Sequence, residues 1–273
     1  MTNPFFSVII PTLNEEKYIG RLLDDLVRQK QVTFEVIVVD GGSTDATVSI
    51  VQKYTQSLPL TLIESNAGVS RQRNSGARAA QGTFLVFFDA DVQIPQRFFY
   101  ELLQQIKLND EEVFTTYVKQ DSQDVYDEVI AKLLNKILDL SVVIDRPFIP
   151  GFNFIVSKKA FAAVGEFDEK IVHAEDYDLT HRLFKAGYEI VILKRPRLIF
   201  SLRRYRLEGR LSVLRKNAQA GLYVLSRGSI KKSLFSYPMG GALYKEIKTN
   251  KARRKLTAVT DKYLKKLLSV FMD

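Results

Sequence analysis

A chain of 273 residues is long enough to bury one large core, and 46% apolar with 26% charged residues excludes a disordered polymer. The absence of cysteine rules out disulfides, thiolate metal sites and cysteine nucleophiles, and the two histidines, His173 and His181, are too few for a multi-histidine zinc centre. The net charge of +9 is unevenly placed: residues 201–273 hold 18 Lys and Arg against 4 Asp and Glu, over a mildly acidic body, which suggests contact with phospholipid, a phosphorylated acceptor or nucleic acid.

The longest stretch without Asp, Glu, Lys or Arg, Met1 to Asn14, is broken by Pro4 and Pro11 and is too short to span a bilayer. A cytosolic protein without a spanning segment is therefore expected. Phe5 to Ile10 reads as a buried strand ended by Pro11, and Asn14 is placed to cap a helix from about Glu15 to Gln29 with Ile19, Leu22, Leu23 and Leu26 inward. Phe34 to Val39 is a second strand, which completes a right-handed βαβ unit. At its end, Asp40-Gly41-Gly42-Ser43-Thr44-Asp45 offers a carboxylate to a base or ribose and glycines for close backbone approach. The same residues also suit an ordinary turn, with Thr44 or Asp45 capping a helix near Ala46. Neither a dinucleotide nor a P-loop fingerprint is present.

Leu60 to Ile63 is a short strand, and the segment 66–78 gives a loop and a small-residue helix carrying Arg71, Arg73 and Arg78. Phe84 to Phe88 is wholly apolar and reads as a strand buried on both faces. Asp89-Ala90-Asp91 follows at its end, where open α/β sheets bind ligands. Such a pair can share magnesium or manganese with a ligand's phosphates, or else cap the helix near Pro95.

Beyond it the pattern predicts a helix at 95–108, a strand at 113–119 and a helix at 125–144 with Leu133, Leu134, Ile137, Leu138 and Leu140 buried. The loop 145–153, with Pro147 and Pro150, is either a cleft wall or a connection. Glu175 and Asp176 open a helix that ends at Gly187, with Leu179, Leu183 and Phe184 facing inward. Arg203, Arg204 and Arg206 follow the last core strand as a diphosphate clamp or as solvated surface. Helices are expected at 211–225 and 251–271, the latter amphipathic and basic and suited to an anionic membrane surface or to packing on the body or on another subunit.

In register, SVIIPTLNEE, EVIVVDGGSTD, NAGVSRQRNSG and FFDAD resemble the nucleotide-sugar-binding half of family 2 glycosyltransferases over roughly residues 5–200. The resemblance implies an α/β, doubly wound, mostly parallel GT-A fold in residues 1–200, with a donor half at 1–110 and an acceptor half at 111–200, followed by a basic helical extension at 201–273. It implies an inverting, nucleoside-diphosphate-sugar-dependent enzyme of envelope polysaccharide or lipid-linked acceptors, assisted by Mg²⁺ or Mn²⁺. Pro11, Asn14 and Glu15 would line the nucleotide pocket, Asp40 the base, with Arg71 or Arg73 nearby, Asp89 the ribose or metal and Asp91 the metal. Asp176 would be the general base and Glu175 its orienting partner. Many relatives carry a metal-completing histidine where this chain has Ser201. No nucleic-acid partner is expected, and the oligomeric state stays open. The competing readings are a sugar-1-phosphate nucleotidyltransferase, which would show a Gly-rich basic loop in place of Pro11-Thr12-Leu13-Asn14, and a catalytically silent membrane-binding module.

Overall fold

The computed structural model describes residues 3–232, 234–235 and 240–241. Its strands are β1 (Phe6–Thr12), β2 (Phe34–Asp40), β3 (Leu60–Glu64), β4 (Phe84–Phe88), β5 (Val113–Gln120), β6 (Asn153–Ser157) and β7 (Ile190–Phe200). They form one sheet in the order β3-β2-β1-β4-β6-β5-β7, with β6 antiparallel to both neighbours and the other pairings parallel. The chain moves outward from β1 to β3 and then returns to lay β4 on the other side of β1. The order therefore reverses between β1 and β4, and a crevice opens at their carboxyl ends.

Helices cover both faces because the central strands are apolar on both. Val8 and Ile10 belong to one core cluster with Val86 and Phe88, while Ile9 joins Leu85 and Phe87 in the other. The helix α1 (Ile19–Val27) buries the four residues its periodicity predicts, Ile19, Leu22, Leu23 and Leu26. It does not start at Glu15, and Asn14 is not its cap. Asn14 adopts φ 55° and accepts from the Thr44 N–H instead, so residues 14–18 turn before the helix begins. The helix α2 (Thr47–Gln52) leads to β3. On α3 (Val69–Ala79), Gly76 permits close packing, since a Cβ there would lie 2.5 Å from Ile9 Cγ2. The helix α4 (Phe98–Asn109) follows β4 three residues later than its sequence suggests.

The helix α5 (Val125–Val143) departs from expectation in its orientation. Leu138 is buried and Leu134 partly so, but Leu133, Ile137 and Leu140 are 44%, 46% and 56% exposed. Polar anchors set the inward face. Asp127, fully buried, pairs with Arg206 and Arg210, and the Asn135 side chain bonds both backbone groups of Val118. Ser141 Oγ donates to Leu138 O and accepts from the Phe148 N–H. Losing these bonds in the interior would cost more than leaving three apolar side chains in water.

After α6 (Lys158–Ala163) and α7 (Glu175–Lys185), the chain ends its described course in α8 (Arg203–Glu208) and α9 (Arg210–Arg227), the start of the helical extension. The expected helix at 251–271 lies outside the described residues, as do residues 237–239 of the break that the sequence suggests at 237–241.

Phe87 is the pivot of the second cluster, fully buried with its ring 5.3–6.4 Å from those of Phe154, Phe161 and Phe167. Phe87→Ala is expected to cost about 3–5 kcal/mol in chemical denaturation. A loss under ~1 kcal/mol would show that the core does not hinge on this ring.

Candidate active site

The crevice is built first from two loops laced together. The Asn14 N–H donates to Ser43 Oγ (2.8 Å), the Glu15 N–H to Thr47 Oγ1 (2.7 Å) and the Glu16 N–H to Asp45 Oδ2 (3.2 Å). Asp40 holds its own loop. Its carboxylate accepts from Thr12 Oγ1, from Ser43 Oγ and from the N–H groups of Gly42 and Ser43, and the residue is 3% exposed. The turn reading of this segment thus describes what Asp40 does within the chain. A recess between the loops is lined by Asn14, Glu16, Lys17, Tyr18, Thr44, Asp45 and Gly241, whose N–H donates to Leu13 O at 2.9 Å. Pro11, the sixth residue of β1, stands in register with Val39 just before this mouth.

The second component lies at the end of β4. Asp91 accepts from Arg203 Nε at 2.5 Å, while the two terminal nitrogens of Arg203 grip Glu15 at 2.7 and 2.8 Å. The guanidinium also lies over the Tyr18 ring, 4.2 Å from its centre. Burial raises the Asp91 carboxyl above its ordinary range; Arg203 opposes that rise and the charge of Asp89 adds to it. Glu15 is raised for the same leading reason, again against the pull of Arg203.

The third component is Arg73, whose side chain is 3% exposed. One terminal nitrogen donates to Asp89 Oδ1 (3.0 Å) and the other to Glu175 Oε1 (2.7 Å), and the group lies 5.4 Å from the Phe167 ring centre. Burial pulls this guanidinium down, but Asp89, Glu175 and Asp176 outweigh it and hold it above its usual value. A Cβ at Gly151 would sit 2.7 and 2.8 Å from the Arg73 nitrogens, so any larger residue would push the guanidinium off Asp89 and Glu175. The Gly151 N–H instead donates to Asp176 Oδ2 (2.8 Å), and the Tyr177 N–H donates to Oδ1 (2.8 Å). Burial, followed by the charge of Glu175, pushes Asp176 up to about 7.

Of the residues singled out from sequence, the structure gathers Asn14, Glu15, Asp89, Asp91, Arg203, Arg73, Glu175 and Asp176 into one connected set. Arg71 stands apart, half exposed and paired with Glu169 at 3.1 Å. Arg204 pairs along its helix with Glu208, and Arg206 with Asp121 and Asp127. Sequence reasoning passed over Tyr18, Gly151 and Gln72. Gln72 Nε2 donates to both Thr12 O and Val39 O and so ties α3 to the ends of β1 and β2. The available signal for Gly151 was its place between a proline loop and an apolar strand.

Among the described residues no three His, Cys, Asp or Glu side chains converge closely enough to hold a metal ion by themselves. The oxygens present fit a hard cation that is shared with a ligand's phosphates: the Asp89 and Asp91 carboxylates, and Ser201 Oγ, buried beside Asp91 without a well-formed hydrogen bond.

The model of glycosyl transferase family 2 matches residues 7–165. Poly(ribitol-phosphate) beta-N-acetylglucosaminyltransferase TarS of Staphylococcus aureus is 46% identical over 91 residues, 32% of this chain and 16% of that protein. A PGL/p-HBAD biosynthesis glycosyltransferase of Mycobacterium tuberculosis is 42% identical over 94 residues, 33% of this chain and 37% of that one. The matched stretches thus span well under half of either relative. The crystal structure of S. aureus TarS in complex with UDP superposes with a TM-score of 0.61 at 28% identity, over 72% of this chain and 60% of that one. Mannosyltransferase PcManGT from Pyrobaculum calidifontis, in complex with GDP-Man and Mn²⁺, gives 0.64 over 90% and 68% at 21% identity, a likeness of fold. With its sheet in the GT-A arrangement and the family match covering more than half its length, the chain belongs to glycosyl transferase family 2.

Proposed function

We propose that this chain transfers a sugar, with inversion, from a nucleoside-diphosphate donor to a hydroxyl of an envelope polysaccharide or lipid-linked acceptor. The observation that carries this reading is the bridge by Arg73, which holds the strand-end carboxylate Asp89 and the helix-start carboxylate Glu175 on one guanidinium, with Asp176 beside them. Direct displacement needs a base on one side of the anomeric carbon and a stabilised leaving group on the other. Residues 1–110 supply the donor side and 111–200 the acceptor side. The nucleotide takes the recess between the Asn14 and Thr44 loops. The solved TarS complexes hold UDP and UDP-GlcNAc, which makes a UDP-sugar the first donor to test.

Asp176 takes the proton of the acceptor hydroxyl as its oxygen forms a bond to C1. The bond from C1 to the phosphate oxygen breaks and its electron pair leaves with the diphosphate. Glu175, fixed by Arg73, orients the acceptor or the base, and the Gly151 N–H aims the Asp176 carboxylate. Arg203 offsets charge on the leaving diphosphate. Magnesium or manganese, held by Asp91 and Asp89, would supply further charge neutralisation there. The electrostatics support that need. Arg73 and Arg203 face five carboxylates, Glu15, Asp89, Asp91, Glu175 and Asp176, so an anionic donor approaches a site with excess negative charge.

The helical extension would keep the enzyme at the inner face of an anionic membrane through residues 251–273, where apolar residues at i, i+3 and i+4 alternate with seven Lys and Arg. Among the described residues no helix is long and apolar enough to cross a membrane.

Four outcomes test this reading. Asp176→Asn should leave UDP affinity nearly unchanged and cut transfer by about 100-fold or more. Because the base acts in its charged form and its carboxyl is raised to about 7, wild-type transfer should climb as pH rises through about 7. A flat profile from pH 5 to 8, or parallel loss of UDP binding in the variant, would remove Asp176 from the role of base. Asp91→Asn should abolish the gain in UDP affinity that Mn²⁺ confers in calorimetric titration, with the melting curve kept; equal affinities across the metal series would take Asp91 out of the cation site. Truncation after Asn250 should abolish the salt-sensitive part of binding to anionic vesicles and spare donor hydrolysis, since attraction at a charged surface decays within about 8 Å at physiological salt. Retained salt-sensitive binding would place the contact elsewhere.

A further inference from the structure

The exposed side of α5 is unlike the rest of the surface. Leu133, Ile137, Leu140 and Ile144 follow one another at intervals of four, three and four, which at 100° per residue keeps them within about 60° of arc. They are 44%, 46%, 56% and 56% exposed, and Val143 beside them is 78% exposed. Apolar side chains exposed singly on a surface need no explanation, but here five are gathered into one contiguous stripe.

We infer that this stripe is the surface on which the protein seats itself in the interface of a lipid bilayer, so that the base meets an acceptor carried in that bilayer. The inference rests on the glycosyltransferase reading for its purpose, though not for its geometry. The stripe runs directly into the loop that positions Asp176. That loop is fastened to α5 by the Arg146 N–H to Ser141 O (2.8 Å) and the Phe148 N–H to Ser141 Oγ (3.2 Å), and it ends at Gly151, whose N–H holds the carboxylate. An acceptor headgroup leaving a membrane that α5 touches therefore meets the loop that holds Asp176.

Size and charge favour lipid over a second protein. A stripe of 12 residues is about 18 Å long and roughly 10 Å wide, or about 180 Å². Stable protein interfaces take about 800 Å² from each partner. Charges along its margin nearly balance, with Lys132 paired to Glu128 at 2.7 Å, Asp139 accepting from the Tyr117 hydroxyl, and Lys136, Asp145 and Arg146 exposed. The contact is thus apolar in kind, and salt should leave it in place. The basic segment at 251–273 brings the protein to an anionic surface by charge, and α5 sets which way it faces once there.

The chain contains no tryptophan, so Leu140→Trp gives a single reporter on the stripe. On mixing the full chain with vesicles of phosphatidylcholine and phosphatidylglycerol, its emission should shift to the blue, and the shift should persist in high salt for the protein that remains bound. A Trp at the exposed Lys53 should show no shift. Ile137→Asp with Leu140→Asp should lower vesicle partition in high salt about tenfold while donor hydrolysis stays at the wild-type level. The inference fails if Leu140→Trp emission is unmoved while the protein sediments with vesicles. It fails equally if the emission shifts without lipid as protein concentration and mass rise together, which would make the stripe a contact between copies. If donor hydrolysis is absent from the wild type, the catalytic reading falls and the lipid contact is judged by emission alone.

Discussion

Arg73 carries its charge at a position 3% exposed, and a guanidinium so placed is tolerable only with carboxylates around it. The two it holds come from distant parts of the chain, Asp89 from the end of β4 and Glu175 from the first turn of α7. Removing one partner of a buried pair costs about 3–5 kcal/mol, a figure that applies to Glu175, whose side chain is 11% exposed, and must be discounted for Asp89, which is 43% exposed. Arg73 also shapes the loop before β6, where a side chain at Gly151 would displace the guanidinium from its carboxylates. Gly151 then has its N–H free to aim Asp176. One buried cation thus determines where the carboxylates of both sides stand.

The same crowding governs protonation. Glu15, Asp91 and Asp176 are all raised by burial, and the neighbouring guanidiniums only partly reverse it. Each carboxylate is therefore less comfortable charged than it would be in water, which makes it receptive to whatever neutralises it. In the proposed reaction Asp91 would take a cation and Asp176 a proton. The division follows from what lies next to each. Asp91 shares its surroundings with the hard oxygens of Asp89 and Ser201, whereas Asp176 has two N–H donors and another carboxylate.

The strands were legible in the sequence because burial on both faces leaves unbroken apolar runs, and the site segments were legible because they follow those runs. The choice between Arg71 and Arg73 was not. Two residues apart on α3, they point about 200° from one another, so one turns inward and the other to Glu169 at the surface. Asn14 looked like a helix cap because its type suits one, but its left-handed backbone and the waiting Thr44 N–H gave the side chain another partner. On α5 the apolar pattern pointed to a face that buried Asp127 and Ser141, with half-buried Asn135, override. Hydrophobic periodicity cannot register polar anchors whose partners lie far along the chain.

The basic character of the extension divides in the same manner once partners are known. Arg203, Arg204, Arg206, Arg210 and Lys216 each face a carboxylate, several of them in the catalytic body. Arg203, Arg206 and Arg210 fasten α8 and α9 to the body, Arg204 and Lys216 pair with Glu208 within the extension, and all five contribute little attraction at a distance. Residues 242–273 hold nine Lys and Arg against three Asp and Glu, and Arg215, Arg227, Lys231 and Lys232 add to that excess, so most of the unbalanced charge lies beyond the residues that attach the extension. Under the proposed membrane contact, attraction to an anionic surface and attachment to the body are tasks of different segments. A long-range electrostatic contact of this sort can gather the protein to a membrane but cannot fix its rotation about the surface normal or its tilt. Orientation needs a short-range, apolar contact on the rigid body, and α5 presents one next to the loop that aims Asp176.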